Sequence, residues 1–259
     1  MEGQAVATTL AVVEVWPAIE DLGMRSPLAG IARRRFAGKT LLEWLVRRVS
    51  DALSVDQIVA LAGEDAHSQS LIANCPPDIS VVTTPAADPL GCLADVVREI
   101  PCSGVVRINV GSPFADPDLI DRLVAAAAGA ECDYAGYRFA GGRPAIESQL
   151  GVVAEWCSAG AILRSERLAK SATDRNHATR FIYSRPDLFA LHWLPVPRQL
   201  DRDDLRLAIH DEEDWEHVQL ILDALGPESL DWQYIASLLD RQPIMRARMA
   251  DRNRGLLTA

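Results

Sequence analysis

Residues 104–121 read GVVRINVGSPFADPDLID, and the order of residue types in this stretch decides the fold. Residues 104–110 form a short apolar run rich in β-branched side chains, the length of a buried strand and too short for a helix. Asp116-Pro117-Asp118 then supplies a helix start. The first aspartate is placed to cap, proline suits the first helical position because its missing N–H would be unpaired there anyway, and Asp118 sits near the positive end of the helix dipole. The helix is expected to stop at Gly129.

The same grammar repeats upstream. Residues 8–15 read as a buried strand. Residues 40–53 read as a helix with Leu41, Leu42, Leu45, Val46, Val49 and Leu53 on one face. A strand over 57–62, a helix over 65–73 and a strand over 79–83 follow. Asp88-Pro89 repeats the cap-proline signal and opens a helix running to Ile100. This alternation predicts an α/β fold, with a parallel sheet covered by helices on both faces and right-handed crossovers.

The second half is less regular. Strands are expected over 133–139 and 149–157, separated by a Gly-Gly-Arg-Pro loop, and helices over 158–170 and 174–183. Strands over 188–194 and 204–209 come next. Residues 212–225 form a helix with Trp215, Val218, Ile221, Leu222 and Leu225 inward, ended by Gly226-Pro227. Two polar helices, 231–240 and 243–252, close the chain. We therefore divide it into a main domain, 1–226, and a helical extension, 227–259. The cluster Arg246, Arg248, Arg252 and Arg254 is expected to be a solvated face.

Bulk properties narrow the function. The chain has 259 residues and a formal net charge of -10, the wrong sign for a nucleic-acid partner. Its five cysteines include no CxxC pair, so buried free thiols are expected rather than disulfides or a zinc site. No signal peptide and no membrane span are expected, which places the protein in the cytoplasm.

Several segments carry a family resemblance. Residues 104–121 are similar to the "VVRITGDCPLIDPELID" of SpsF-type and related sugar-activating cytidylyltransferases, a group that includes CMP-KDO-synthetase-like proteins. RNHATRFIY at 175–183 resembles their "REHVTPYIY", and LRLAIHDEEDWEHV at 205–218 resembles "LRWTVDTPEDLELV". FAGKTLLEWL at 36–45 looks like "GGKPLLEHV", and GVVAEWCS at 151–158 resembles "GLDVEVFS". The matches fall in the family's order. The resemblance implies a Rossmann-like mixed, mostly parallel sheet of the nucleotide-diphosphosugar transferase type, with a ligand cleft at the carboxyl ends of the parallel strands.

The resemblance also implies a chemistry: transfer of CMP from CTP to a sugar or sugar-acid hydroxyl, with release of pyrophosphate. Such transfer needs cations around the phosphates and carboxylates holding Mg²⁺. Here the pattern departs. In the segment corresponding to "RMGSTRLPGK", Ile31 stands where the loop lysine is expected and Pro27 where an arginine is expected. Arg25, Arg33 and Lys39 are the remaining nucleotide-side candidates. Gly111 stands at the metal-binding aspartate of "GDCP", and His210 at that of "VDTPED", with Asp211 next to it. His210 and Asp211 are the only candidate metal residues, and imidazole suits Mg²⁺ poorly. If 204–209 is a strand, Asp211 and His210 point to opposite faces. Arg107, Glu155, His177 and Thr179 match family positions and are candidates for the sugar pocket, whereas Val153 and Asn176 replace acidic residues.

Three functions compete. The favoured one is a cytidylyltransferase-like protein of surface-polysaccharide or sugar-activation metabolism with weak or no catalysis, binding a nucleotide, a nucleotide-sugar, a second copy of itself or a partner protein, and needing no cofactor. The alternative is an active Mg²⁺-dependent nucleotidyltransferase with a displaced site. The third is a glycosyltransferase using Asp201-Arg202-Asp203, which reads better as a turn.

Overall fold

The run TLAVVE becomes strand β1 (Thr9–Glu14), buried along its whole length, in a computed structural model that describes residues 8–15, 34–64, 68–69, 72–73, 75–85 and 88–257. A short hairpin, β2 (Arg35–Phe36) and β3 (Lys39–Thr40), precedes helix α1 (Leu41–Val49), whose N-cap is the Thr40 side chain. Strands β4 (Gln57–Gly63) and β5 (Ser80–Thr84) lead to α2 (Pro89–Glu99). The decisive stretch forms β6 (Gly104–Asn109) and α3 (Pro117–Ala130). Both cap-proline signals are realised: Asp88 accepts from the Gly91 N–H at 2.9 Å and Asp116 from the Leu119 N–H at 3.2 Å. Helix α3 ends on Glu131, which takes the left-handed conformation at φ 46°, two residues beyond the expected glycine stop.

The remaining elements are β7 (Tyr134–Arg138), β8 (Glu155–Ser158), α4 (Ala159–Leu168), α5 (Ala172–Arg175), α6 (Arg180–Tyr183), β9 (Leu191–Pro195), α7 (Glu212–Leu225), α8 (Trp232–Asp240) and α9 (Pro243–Leu257). The sheet order is β5-β4-β1-β6-β8-β7-β9. Only β8 runs against its neighbours, so the sheet is mixed and mostly parallel, as expected.

Alternation along each strand splits the core in two. Ala11, Val13, Val106 and Ile108 pack against α1, α3, α7 and α8 through Leu45, Leu123, Val218 and Trp232. On the other face, Leu10, Val12, Val105 and Cys157 pack against α2, α4 and α6 through Leu93, Ile162 and Phe181. Leu230, Trp232, Ile235, Leu239 and Met249 belong to the first of these cores.

The helix expected over 40–53 ends at Val49 and leaves Leu53 exposed rather than inward. Four further expectations fail, each for a physical reason. The strand expected over 149–157 shortens to β8. Gly151 adopts φ +65°, and neighbouring backbone groups bond to loops: Asp116 N–H to Val152 O at 3.0 Å, and Leu207 N–H to Gln149 O at 2.8 Å. The strand expected over 204–209 does not form; its amides make those isolated loop bonds and one from Ile209 N–H to Gly111 O at 2.7 Å. The helix expected over 174–183 breaks into α5 and α6 around His177 and Thr179. Finally, the arginines of α9 are not all solvated. Arg246 pairs with Asp204 at 3.1 Å, and Arg252 with both Asp211 and Asp214, so α9 is docked by ion pairs. The helix expected over 65–73 lies partly outside the described residues.

Candidate functional site

At the carboxyl ends of β1 and β6 the apolar face of the sheet turns polar. Val12, Arg107 and Glu155 are register neighbours across β1, β6 and β8, so their side chains share one face. Glu14, two residues beyond Val12, lies on the same face. Arg107 Nε donates to Glu14 Oε1 at 2.7 Å and Nη1 donates to Glu155 Oε1 at 2.6 Å. Glu155 also accepts from the Thr179 hydroxyl at 2.8 Å and the Tyr134 hydroxyl at 2.9 Å. Both carboxylates are fully buried. Burial raises the Glu14 pKa above the ordinary carboxyl value, against the opposing pull of Arg107. Burial would lower Arg107, but Glu14 and Glu155 beside it raise it overall, so the guanidinium stays charged.

This network floors a cavity of about 650 Å³. Glu14, Arg107, Asn109 and Ser112 form one part of its lining; Glu147, Gln149, Asn176, His177, Arg180, Tyr183 and His210 form others. Three buried polar atoms among these side chains have no hydrogen-bond partner among the described residues: Glu14 Oε2, Gln149 Oε1 and His177 Nδ1. Glu14 Oε2 does lie 2.6 Å from Arg107 Nη2, an ion contact off the hydrogen-bond line, so it keeps acceptor capacity. Burial, with Arg107 nearby, lowers the His177 pKa to about 4. The ring is therefore neutral near pH 7 and stacks edge-on against Tyr183 with centroids 5.8 Å apart. These buried polar atoms of the lining are left for a ligand or water to satisfy.

The residues singled out from the sequence are thus partly brought together. Arg107, His177 and His210 line the cavity. Glu155 stands behind Arg107 and holds it, and the Thr179 hydroxyl in turn donates to Glu155. Lys39 is exposed on the β2–β3 hairpin and is not in the lining. Arg25, Arg33, Ile31 and Pro27 lie outside the described residues. Asp211 is turned to other work: it caps α7 by accepting from the Asp214 N–H at 3.1 Å and pairs with Arg252. Although burial alone would raise it, that amide and Arg252 hold its carboxyl below the usual range. The alternation used to separate it from His210 does not apply, because no strand forms there.

Sequence reasoning missed three contributors. Glu14 was legible as a charged residue ending an otherwise apolar strand. Arg206 and Asp214 form a buried bidentate pair at 2.5 and 2.9 Å, and Asp214 also accepts from the His210 N–H at 2.9 Å. They match the arginine and last aspartate of "LRWTVDTPED", and their role is to hold the backbone at 210.

The residues do not fit the Mg²⁺ site that the resemblance implies. A Cβ built at Gly111 would lie 2.7 Å from Ile209 O, well inside van der Waals contact. The glycine therefore does more than omit a ligand: it lets the loops after β6 and before α7 close on each other through the Ile209–Gly111 bond. Among the described residues, no three His, Cys, Asp or Glu side chains gather as a cation site. Glu14 and Glu155 do converge in the cleft, but the Arg107 guanidinium fills the space between them.

Known proteins match this architecture. The spore coat polysaccharide biosynthesis protein SpsF of Bacillus subtilis (strain 168) is 23% identical over 223 residues, covering 83% of this chain and 90% of that protein. A cytidylyltransferase from Leptospira borgpetersenii serovar Hardjo-bovis (strain JB197) superposes with a TM-score of 0.74 at 17% identity, covering 92% of this chain and 95% of that one. CMP:2-keto-3-deoxy-manno-octonic acid synthetase in complex with CTP superposes with a TM-score of 0.58 at 9% identity, over 84% of this chain and 98% of the other. The MobA-like NTP transferase domain matches residues 32–218, from the β2–β3 hairpin into α7. A sheet with one reversed strand, a polar cleft at its carboxyl edge and a domain match over most of the length agree, and the chain belongs to the MobA-like NTP transferase family.

Proposed function

We propose that this protein binds a cytidine nucleotide or a CMP-sugar in the cleft above Arg107, in cytoplasmic surface-polysaccharide or sugar-activation metabolism, and does not itself run metal-dependent nucleotidyl transfer. The observation that carries this reading is the closed contact at Gly111, where a carboxylate-bearing side chain has no room. Asp211, the nearest substitute, is committed to Arg252 and to the α7 cap. Without a metal to neutralise a triphosphate, several kcal/mol of transition-state stabilisation are missing. Binding needs less: a polar lining, a shaped cavity and a few donors and acceptors, all of which the cleft offers. The name of the Bacillus relative supports the polysaccharide context, and the CTP complex of the synthetase on this fold supports a cytidine ligand.

The test is thermal unfolding with CMP, CTP, UTP and GTP, each with Mg²⁺ and with EDTA. A ligand held by the native state raises its stability by about 2.7 kcal/mol at a hundredfold excess over Kd. The expected result is a rise in Tm with cytidine nucleotides that is the same with Mg²⁺ and with EDTA. No shift with any nucleotide would overturn the binding role.

A further inference from the structure

Residues 203–211 carry Ala208 and His210 into the cavity wall, yet they belong to no strand, so no ladder fixes their place. Helix α9 holds this stretch from outside. The Asn253 side-chain amide donates to Asp203 O at 2.8 Å and to Leu205 O at 2.9 Å, and Arg246 pairs with Asp204 at 3.1 Å. At the other end Arg252 uses both arms of its fork: Nη2 pairs with Asp211, and Nη1 donates to Asp214 Oδ1 at 2.8 Å and lies 3.5 Å from Glu213. Asp214 in turn accepts from the His210 N–H through Oδ2 at 2.9 Å. One helix therefore grips both ends of a cavity wall. That helix is itself lightly seated. Among its described side chains only Met249 is buried, and Ile244 is 74% exposed. A helix held mainly by ion pairs and side-chain amides, with little apolar face, opens locally more readily than the core.

We propose that Arg252 is a positioning residue of the cleft, setting His210 through Asp211 and Asp214, so that seating of α9 and binding of a ligand in the cavity favour each other. The coupling rests on the nucleotide reading above for its ligand, and adds to it a control of affinity from outside the cavity. Arg252 is not in the lining. Its planar fork spans two carboxylates at once and keeps Asp214 aimed at Arg206 and the His210 amide. Without it, Asp211 keeps its cap bond to α7 but has no ion pair among the described residues. Linkage then demands reciprocity: the factor by which the seated helix strengthens ligand binding is the factor by which saturating ligand strengthens the seating of the helix.

The test is amide hydrogen exchange and calorimetric titration with CMP on the full chain, in the wild type, Arg252→Gln, Arg252→Lys and Arg248→Gln. Arg248 is an exposed cation of the same helix with no ion pair among the described residues, so its variant removes the same charge without touching 203–214. Without ligand, the His210 amide and α9 should exchange faster in Arg252→Gln than in Arg248→Gln. CMP affinity should fall at least about fivefold in Arg252→Gln, recover in part in Arg252→Lys and stay unchanged in Arg248→Gln. In the wild type, saturating CMP should slow exchange of the α9 amides by a factor of the same order. Wild-type CMP affinity in Arg252→Gln, an equal loss in both glutamine variants, or α9 exchange indifferent to saturating CMP would overturn the coupling and leave Arg252 a merely structural residue. Failure of CMP to bind the wild type would instead count against the nucleotide reading. The positioning role is then still decided without ligand: a His210 amide as protected in Arg252→Gln as in the wild type overturns it.

Discussion

Arg107 carries the polar floor of the cleft, because removing its guanidinium leaves two buried carboxylates with no cation between them. Breaking a buried pair from one side costs about 3–5 kcal/mol. Arg107→Met should therefore lower stability in urea unfolding at pH 7 by that order, with a smaller loss at pH 5, where Glu14 is more readily protonated. An equal loss at both values would mean the carboxylates are not what the arginine neutralises. His177 supplies a second pH signature. Its pKa is depressed from the ordinary 6.5 to about 4 in the folded state, so between those values the unfolded chain binds a proton that the folded chain refuses. Stability from this group is complete above pH 6.5, is lost as pH falls toward 4, and changes no further below that. Glu14, raised rather than lowered, works in the opposite direction. The difference between wild type and His177→Phe isolates the histidine: the variant should show a flatter stability profile between pH 6.5 and 4, read from urea midpoints.

At the scale of elements, the cleft depends on loops that the sequence disguised. Strands and helices whose signals are local were legible. The apolar run of β6 and the two aspartate-proline caps read correctly because strand length and capping are decided by neighbours in sequence. Residues 149–154 and 204–209 did not, although both are apolar enough to pass as strands. Their backbone groups are satisfied by each other and by the loop at 111, and pairing across a fold leaves no period in the sequence. Gly151 is the hinge of that arrangement. Its φ of +65° is one that side chains avoid, and a Cβ there would meet Ala208 N at 2.5 Å. Gly151→Ala should cost about 1–3 kcal/mol and weaken ligand binding, as Gln149 and His210 are carried by the two segments it joins. Unchanged ligand affinity would show that these loops do not shape the site. Arg252→Ala tests the docking of α9. It frees Asp211 and leaves the buried Asp214 with Arg206 alone, so the Tm should fall and α9 should lose amide-exchange protection first.

For the whole molecule, the family resemblance located the cleft but not its contents. It identified Arg107, His177 and His210, which the fold brings to one cavity, because those residues lie on segments whose order the family shares. It did not reveal that Glu155, itself bonded by Thr179, holds Arg107 from behind, that Glu14 completes the network, or that a helix at the far end of the chain takes up Asp211. Those outcomes come from side chains meeting across distant segments, the kind of fact that a motif does not encode. The same tertiary view turns a missing aspartate into a physical statement. At Gly111 the fold has used the space itself, and a metal-binding carboxylate cannot be restored by substitution alone: Gly111→Asp should lose stability without gaining affinity for Mg²⁺.

Pyrophosphate release reads metal-dependent nucleotidyl transfer by this protein directly. Purified protein is incubated with CTP, Mg²⁺ and a panel of sugar acids and sugar phosphates, while CMP affinity is measured with Mg²⁺ and with EDTA. No pyrophosphate above the protein-free rate is expected, and CMP affinity should be indifferent to the metal. Sustained Mg²⁺-dependent release of pyrophosphate with formation of a CMP-sugar, abolished by His210→Ala, would overturn a binding role without catalysis.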